Sequence, residues 1–142
     1  MVHIRPPVAS ELALLRKMLR DAQLDPTSGV HLEYALVAEA DGQIVGMGQI
    51  KHLRGCQELG SLVVLPDYRH QGIAGQLIRA LEAQAERPLY LICESHMGSF
   101  YRNFGYGQIN FGQAPTALKL KLTLALIARL FGFRIIAMRK DQ

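Results

Sequence analysis

Two groups of residues in this 142-residue chain have the types and spacing for chemistry. The first is Arg69-His70-Gln71-Gly72-Ile73-Ala74-Gly75. It follows a β-branched run, Leu62-Val63-Val64-Leu65, that stops at Pro66, and it opens a helical recurrence of Ile73, Leu77, Ala80, Leu81 and Gln84. The pattern predicts strand, glycine-containing turn and helix. Unpaired backbone N–H groups and the positive end of the helix dipole meet at such a helix start, which suits it to phosphate. Gly72 and Ala74 leave the backbone open to an anion that larger side chains would block. An ordinary tight turn with a structural glycine accounts for the same letters.

The second group is titratable: Glu58 in the run leading to that turn, and Glu94, His96, Tyr101 and Arg102 beyond it. Each has a plain reading. Glu58 is an exposed strand carboxylate, Tyr101 a core residue of a short helix, Arg102 a solvated helix arginine, and Arg69 a solvated turn residue. His31 and His52 read as surface or core histidines. No metal-ligand cluster and no Ser/His/Asp arrangement stands out, so no metal is expected.

The elements that must position these groups are legible in order. His3-Ile4-Arg5 is a short strand ended by Pro6-Pro7. Ser10 is placed to cap a helix whose apolar face is Leu12, Leu15, Met18, Leu19 and Ala22, and Asp25-Pro26 is expected to stop it. Thr27 to Glu33 reads as a loop over a cleft. Tyr34–Ala40 and Gln43–Leu53 form a hairpin around Asp41-Gly42. Gly46 and Gly48 resemble a nucleotide-binding pair, but no helix follows them, so close packing or a bulge is the better reading. Arg54-Gly55 turns into the run Gln57–Leu65.

After the central helix, Arg87-Pro88 breaks the pattern. Leu89–Cys93 is a short apolar strand, expected to run parallel to the strand before the helix. Met97–Phe104 is a short helix ended by Gly105, and Tyr106–Phe111 a strand. Pro115–Phe131 alternates like a strand yet also shows a helical face of Leu118, Leu122, Ala125, Ile127 and Leu130. Its length, leucine and alanine content and Pro115 favour a helix ended by Gly132. Phe133–Arg139 is a last strand. The fold class is therefore α/β with a mixed sheet.

The length fits one domain with a real core. From Pro115 on, six basic residues and one acidic give a net +5, while the rest of the chain carries −1. A basic tail could meet nucleic acid, membrane or an anionic cofactor, but a solvated face with a basic-ended strand explains it. Cys56 and Cys93 read as buried, reduced and structural. With no apolar signal core at the start and no membrane-length run, the expected compartment is the cytoplasm.

At this point the sequence resembles the GNAT superfamily of acyl-CoA N-acyltransferases. The carriers are Leu62-x-Val64-x-Pro66-x-x-Arg69-x-x-Gly72-x-Ala74 followed by Leu77, and Phe100-Tyr101-Arg102-x-x-Gly105-Tyr106, with Tyr106 where the family has Phe. With the hairpin before them, the resemblance covers the chain to about residue 111. It implies a mostly antiparallel twisted sheet with one parallel junction, flanked by helices, forming one N-acetyltransferase domain over 1–142 with an extra helix near 115–131. It implies acetyl-CoA as cosubstrate and an acceptor amine, on a small molecule or a protein. The backbone from His70 to Gly75 would cradle the pyrophosphate. That of Leu62, Val63 and Val64 would pair with the pantetheine arm, one N–H also holding the thioester oxygen. Arg69 and Arg102 are candidate phosphate contacts, the latter for the 3′-phosphate. Tyr101 would be the general acid. Glu58, or Glu94 where relatives often carry Asn, would be the base.

The other reading is a CoA-binding sensor or interaction domain on the same scaffold, without a working acid or base. No nucleic-acid or membrane partner is expected. The apolar segment 115–131 would be buried across the sheet or in a homodimer.

Overall fold

A computed structural model describes residues 1–24 and 29–142. Seven strands and four α-helices lie among these residues. They are β1 (His3–Arg5), α1 (Leu12–Asp21), β2 (Ala35–Ala40), β3 (Gln43–Leu53), β4 (Cys56–Val64), α2 (Ile73–Glu82), β5 (Leu89–Glu94), α3 (Gly98–Arg102), β6 (Gly107–Ile109), α4 (Thr116–Arg129) and β7 (Ile135–Lys140). The strands hydrogen-bond in the order β1-β2-β3-β4-β5-β7-β6. The sheet is mostly antiparallel, and its parallel pair, Gln57↔Leu89 and Glu58↔Tyr90, joins β4 to β5 across α2 as expected. The chain forms two compact units: Met1–Lys51 with Leu59–Ala85, and His52–Glu58 with Glu86–Gln142.

In the first unit, Leu15, Met18 and Leu19 of α1 bury against Val37, Ile44, Met47 and Val63. The cap of α1 differs from expectation. Ser10 lies in a 3-10 turn, Ala9–Glu11, and it is Glu11 that accepts from the Val8 N–H at 2.8 Å. Arg5 holds Glu11 in place through Nη1 and Nη2, at 3.0 and 2.7 Å. The helix ends earlier than proline would end it. Gln23 takes a left-handed φ of 57°, and the Leu24 N–H returns to the Leu19 carbonyl at 3.1 Å. The expected stop at Asp25-Pro26 and the start of the predicted loop at Thr27 lie outside the described residues.

Asp41 (φ 53°) and Gly42 (φ 75°) make the predicted tight hairpin turn. Gly46 and Gly48 are there for close packing. A Cβ on Gly48 would lie 2.7 Å from Leu81 Cδ1, and one on Gly46 would lie 3.1 Å from the Val63 carbonyl oxygen. These glycines let α2 and β4 press onto β3.

In the second unit, Tyr90, Ile109, Ala114, Leu118 and Ala137 form a core joined by Leu53, Cys56, Ile92 and Leu122. Segment 115–131 is helical, as its composition favours. Its burial is only half as expected. Leu118 is buried and Leu122 and Ala125 partly so, whereas Ile127 and Leu130 are exposed together with Leu120, Leu124 and Phe131. Both free cysteines are half-buried rather than buried. No helix among the described residues is long and apolar enough to cross a membrane.

Candidate active site

The site begins where β4 ends. Leu62 and Val64 are partly exposed and Val63 is buried. Ser61, just before them, holds a left-handed φ of 55°, which breaks the regular strand. After Pro66–Tyr68, a 3-10 turn, the Tyr68 hydroxyl donates to Asp41 Oδ2 at 3.1 Å and accepts from Gln43 Nε2 at 2.8 Å. The turn is thereby pinned to the β2–β3 hairpin. Arg69 Nε donates to the Val64 carbonyl at 3.1 Å. Its guanidinium thus braces the turn on β4.

His70 (φ 64°) and Gly72 (φ 80°) are both left-handed. Nothing lies within 4 Å of where a Gly72 Cβ would stand, so the space above the turn is open. The first α2 bond runs from the Gln76 N–H to the Gly72 carbonyl, so the N–H groups of Ile73, Ala74 and Gly75 precede the helical ladder. Left-handed residues alternating with others before a helix start form a concavity of N–H groups fitted to an anion. The turn from His70 to Gly75 has the backbone form of such a concavity.

The titratable residues of the second unit divide into two kinds. Tyr101 on α3 packs edge-on against Phe100 at 5.1 Å between centroids, and against Tyr106 at 6.2 Å. Burial, with a smaller contribution from Cys93, pushes its phenol up to about 12. The phenol is a proton store at any ordinary pH. Cys93 is itself pushed up to about 11, mainly by burial. Burial likewise raises the Cys56 thiol. Glu94, at the end of β5, is 44% exposed, and one of its oxygens is 3.3 Å from His96 Nδ1. Arg102 is exposed and folds back along α3, its Nη1 3.3 Å from where a Gly98 Cβ would be.

Glu58 is not the exposed carboxylate that one reading expected. It is buried, and its Oε1 accepts from Lys121 Nζ at 2.8 Å. Lys121 belongs to α4. That pairing was out of reach of the sequence, which shows only a lysine in a leucine-rich helix. Also unforeseen were the left-handed His70 and Ser61 and the buried Gln49, a lone amide in the apolar run of β3. The hollow lined by His52, Cys56, Gln57, Arg87 and Tyr90 contains none of the residues expected to catalyse or to hold CoA. Among the described residues, no group of three His, Cys, Asp or Glu could hold a metal.

A family model described as the acetyltransferase (GNAT) domain matches residues 31–108, more than half the chain. The chain belongs to the GNAT acetyltransferase family. N-acetylglutamate synthase from Neisseria gonorrhoeae, complexed with coenzyme A and N-acetyl-glutamate, superposes with a TM-score of 0.78 at 15% identity, over 100% of this chain and 36% of that one. A GNAT family acetyltransferase from Staphylococcus aureus Mu50 gives 0.76 at 18% identity over 99% of both chains. A GNAT family acetyltransferase from Brucella melitensis in complex with acetyl-CoA gives 0.56 at 26%, over 75% of this chain and 83% of that one. The chain spans about a third of the Neisseria synthase. Comparison with curated proteins found no match.

Proposed function

We propose that this chain is a cytoplasmic, single-domain N-acetyltransferase that moves the acetyl group of acetyl-CoA to a primary amine by direct attack in a ternary complex. The observation that carries the reading is the turn from His70 to Gly75, open above Gly72 and set at the start of α2, in a chain of the GNAT family. Bound acetyl-CoA would supply the activated thioester. The N–H groups from His70 to Gly75 would hold its pyrophosphate. Those of Leu62, Val63 and Val64 would pair with the pantetheine amides, and one would hold the charge that develops on the thioester oxygen.

Tyr101 keeps a proton on its phenolic oxygen and would deliver it to the departing thiol. A free amine must lose a proton as its C–N bond forms. Glu94 is the better placed of the two carboxylates for this, because solvent reaches it. Glu58 is buried against Lys121. Arg102 is free to swing toward a phosphate from its exposed position on α3.

One observation favours a second reading. The engagement of Glu58 by Lys121 weighs against one of the two base candidates, as a CoA-binding sensor would tolerate. A thiol-release assay with acetyl-CoA over amino acids, small amines and peptides decides between them. Turnover with any amine supports the enzyme. Tight CoA binding without turnover across the panel supports the sensor, and no CoA binding sinks both.

A further inference from the structure

Gln49 lies at the middle of β3 and is fully buried, which is costly for a carboxamide unless each polar atom is satisfied. Its partners are unusual in their distribution. Oε1 accepts from the His31 backbone N–H at 3.1 Å. Nε2 donates to the Gly29 carbonyl at 2.9 Å and to Ser61 Oγ at 2.8 Å. One side chain therefore joins the segment after α1 to the residue at which β4 departs from regular extension.

Ser61 is the more telling end. It is not glycine, yet it holds φ at 55°, a conformation that costs an L residue about 1–2 kcal/mol unless its surroundings impose it. The donor from Gln49 is the hydrogen bond found on its side chain. The next three residues are Leu62, Val63 and Val64, whose N–H groups the proposed reaction uses. The left-handed turn at Ser61 sets the direction in which they point. At the other end, Gly29 and His31 bond to the same carboxamide as Ser61. Their backbone is thus held within the reach of one amide group from the strand that lines the thioester.

We propose that Gln49 is a positioning residue for the acyl transfer. It locks the left-handed conformation of Ser61, which aims the N–H groups of Leu62 to Val64. It also couples that strand to the Gly29–His31 segment, so that a change in one is felt by the other. The role rests on the acyltransferase reading above, and Gln49, fully buried, acts through Ser61.

The test combines kinetics with amide hydrogen exchange on the full chain. Gln49→Met keeps the shape and removes all three bonds. It is expected to raise the KM for acetyl-CoA about tenfold, the scale of a buried hydrogen bond left unmade. It should also speed exchange at residues 29–34 and 61–64 together. Ser61→Ala loses the bond while its Cβ still disfavours the left-handed φ, so it should leave that φ and raise the acetyl-CoA KM. Ser61→Gly loses the same bond but adopts that φ freely, so it should stay near wild type. That contrast stands even if Gln49→Met does not fold.

Equal effects of Ser61→Ala and Ser61→Gly overturn the proposal. So does faster exchange in only one of the two segments. A wild type that binds no CoA thioester overturns the acyltransferase reading, and the positioning role falls with it. In that case exchange alone still reports whether Gln49 couples the segments, so the two failures are told apart.

Discussion

Lys121 Nζ lies 2.8 Å from Glu58 Oε1, the lysine side chain 30% exposed and the glutamate 6%. The pair fastens α4 to β4 within one unit. Removing the ammonium leaves a carboxylate in a place that water scarcely reaches, which is worse than removing both charges. Lys121→Met should therefore destabilise by about 2 kcal/mol, below the range for fully buried pairs because Lys121 keeps solvent contact. Adding Glu58→Gln should recover most of that loss in a double-mutant cycle of urea midpoints. Glu58→Gln alone should keep kcat near wild type. A large fall in kcat at unchanged stability would instead return the base role to Glu58.

Tyr101 gives the sharpest kinetic prediction. Its phenol sits at about 12, raised chiefly by burial. Tyr101→Phe keeps the ring that packs on Phe100 and Tyr106 and removes only the proton. It should lower kcat by about 10²–10⁴, the usual worth of a general acid, with CoA affinity unchanged by calorimetry. The wild-type rate should show no loss of this acid until pH approaches 12. A basic limb falling near pH 10 that Tyr101→Phe abolishes would contradict the raised value. Stability carries the same sign. The folded phenol binds its proton more tightly than the unfolded one, so its contribution is whole below pH 10 and fades as pH rises toward 12.

Why some of this was legible and some not follows from the range of each signal. The hairpin at Asp41-Gly42, the helical turn at Gly72 and the close packing of Gly46 and Gly48 depend on local chemistry, and letters report that directly. The parallel β4–β5 pair followed from the intervening helix. The cap of α1 was misplaced because Ser10 is a good cap in isolation. α1 starts without a side-chain cap, and Glu11, held by Arg5 from β1, closes the preceding 3-10 turn on the Val8 N–H, a partnership local letters do not report. The same holds for Glu58. Nothing near it in sequence foretells Lys121, sixty-three residues on. The helical face through Leu118 and Leu122 is legible in segment 115–131, but its extent is not: Ile127 and Leu130 fit the same face and are exposed.

Gly72 is the place where backbone conformation and ligand should separate cleanly. Its φ of 80° disfavours any side chain, while nothing within 4 Å would clash with one. Gly72→Ala should cost about 1–2 kcal/mol of stability from the left-handed backbone alone. A CoA cradle demands more than that. The added methyl stands in the open space over the turn, so CoA affinity should fall beyond what thermal destabilisation explains. The comparison is Gly55→Ala, at another left-handed glycine with open space around it, φ 83°, in the β3–β4 turn. It should lose similar stability and leave CoA binding intact. Equal CoA affinity in the two variants would remove the turn from the binding site.

The Arg5–Glu11 pair sets an acid limit on the first unit. Arg5 donates to both Glu11 oxygens and, through Nε, to Glu39 Oε2 at 2.8 Å. With the Val8 N–H also donating, the Glu11 carboxyl is held at about 2, below its ordinary 4.5, the Arg5 hydrogen bonds being the largest cause. A depressed carboxyl stabilises the fold above its unfolded value and loses that contribution as pH falls through the folded one. The wild type should thus lose stability progressively between pH 4.5 and 2. Glu11→Gln should be less stable at neutral pH and flatter across that interval, since glutamine has no charge to lose. Urea midpoints at several pH values check this. Parallel acid limbs in the wild type and in Glu11→Gln would mean that another carboxylate carries the acid sensitivity.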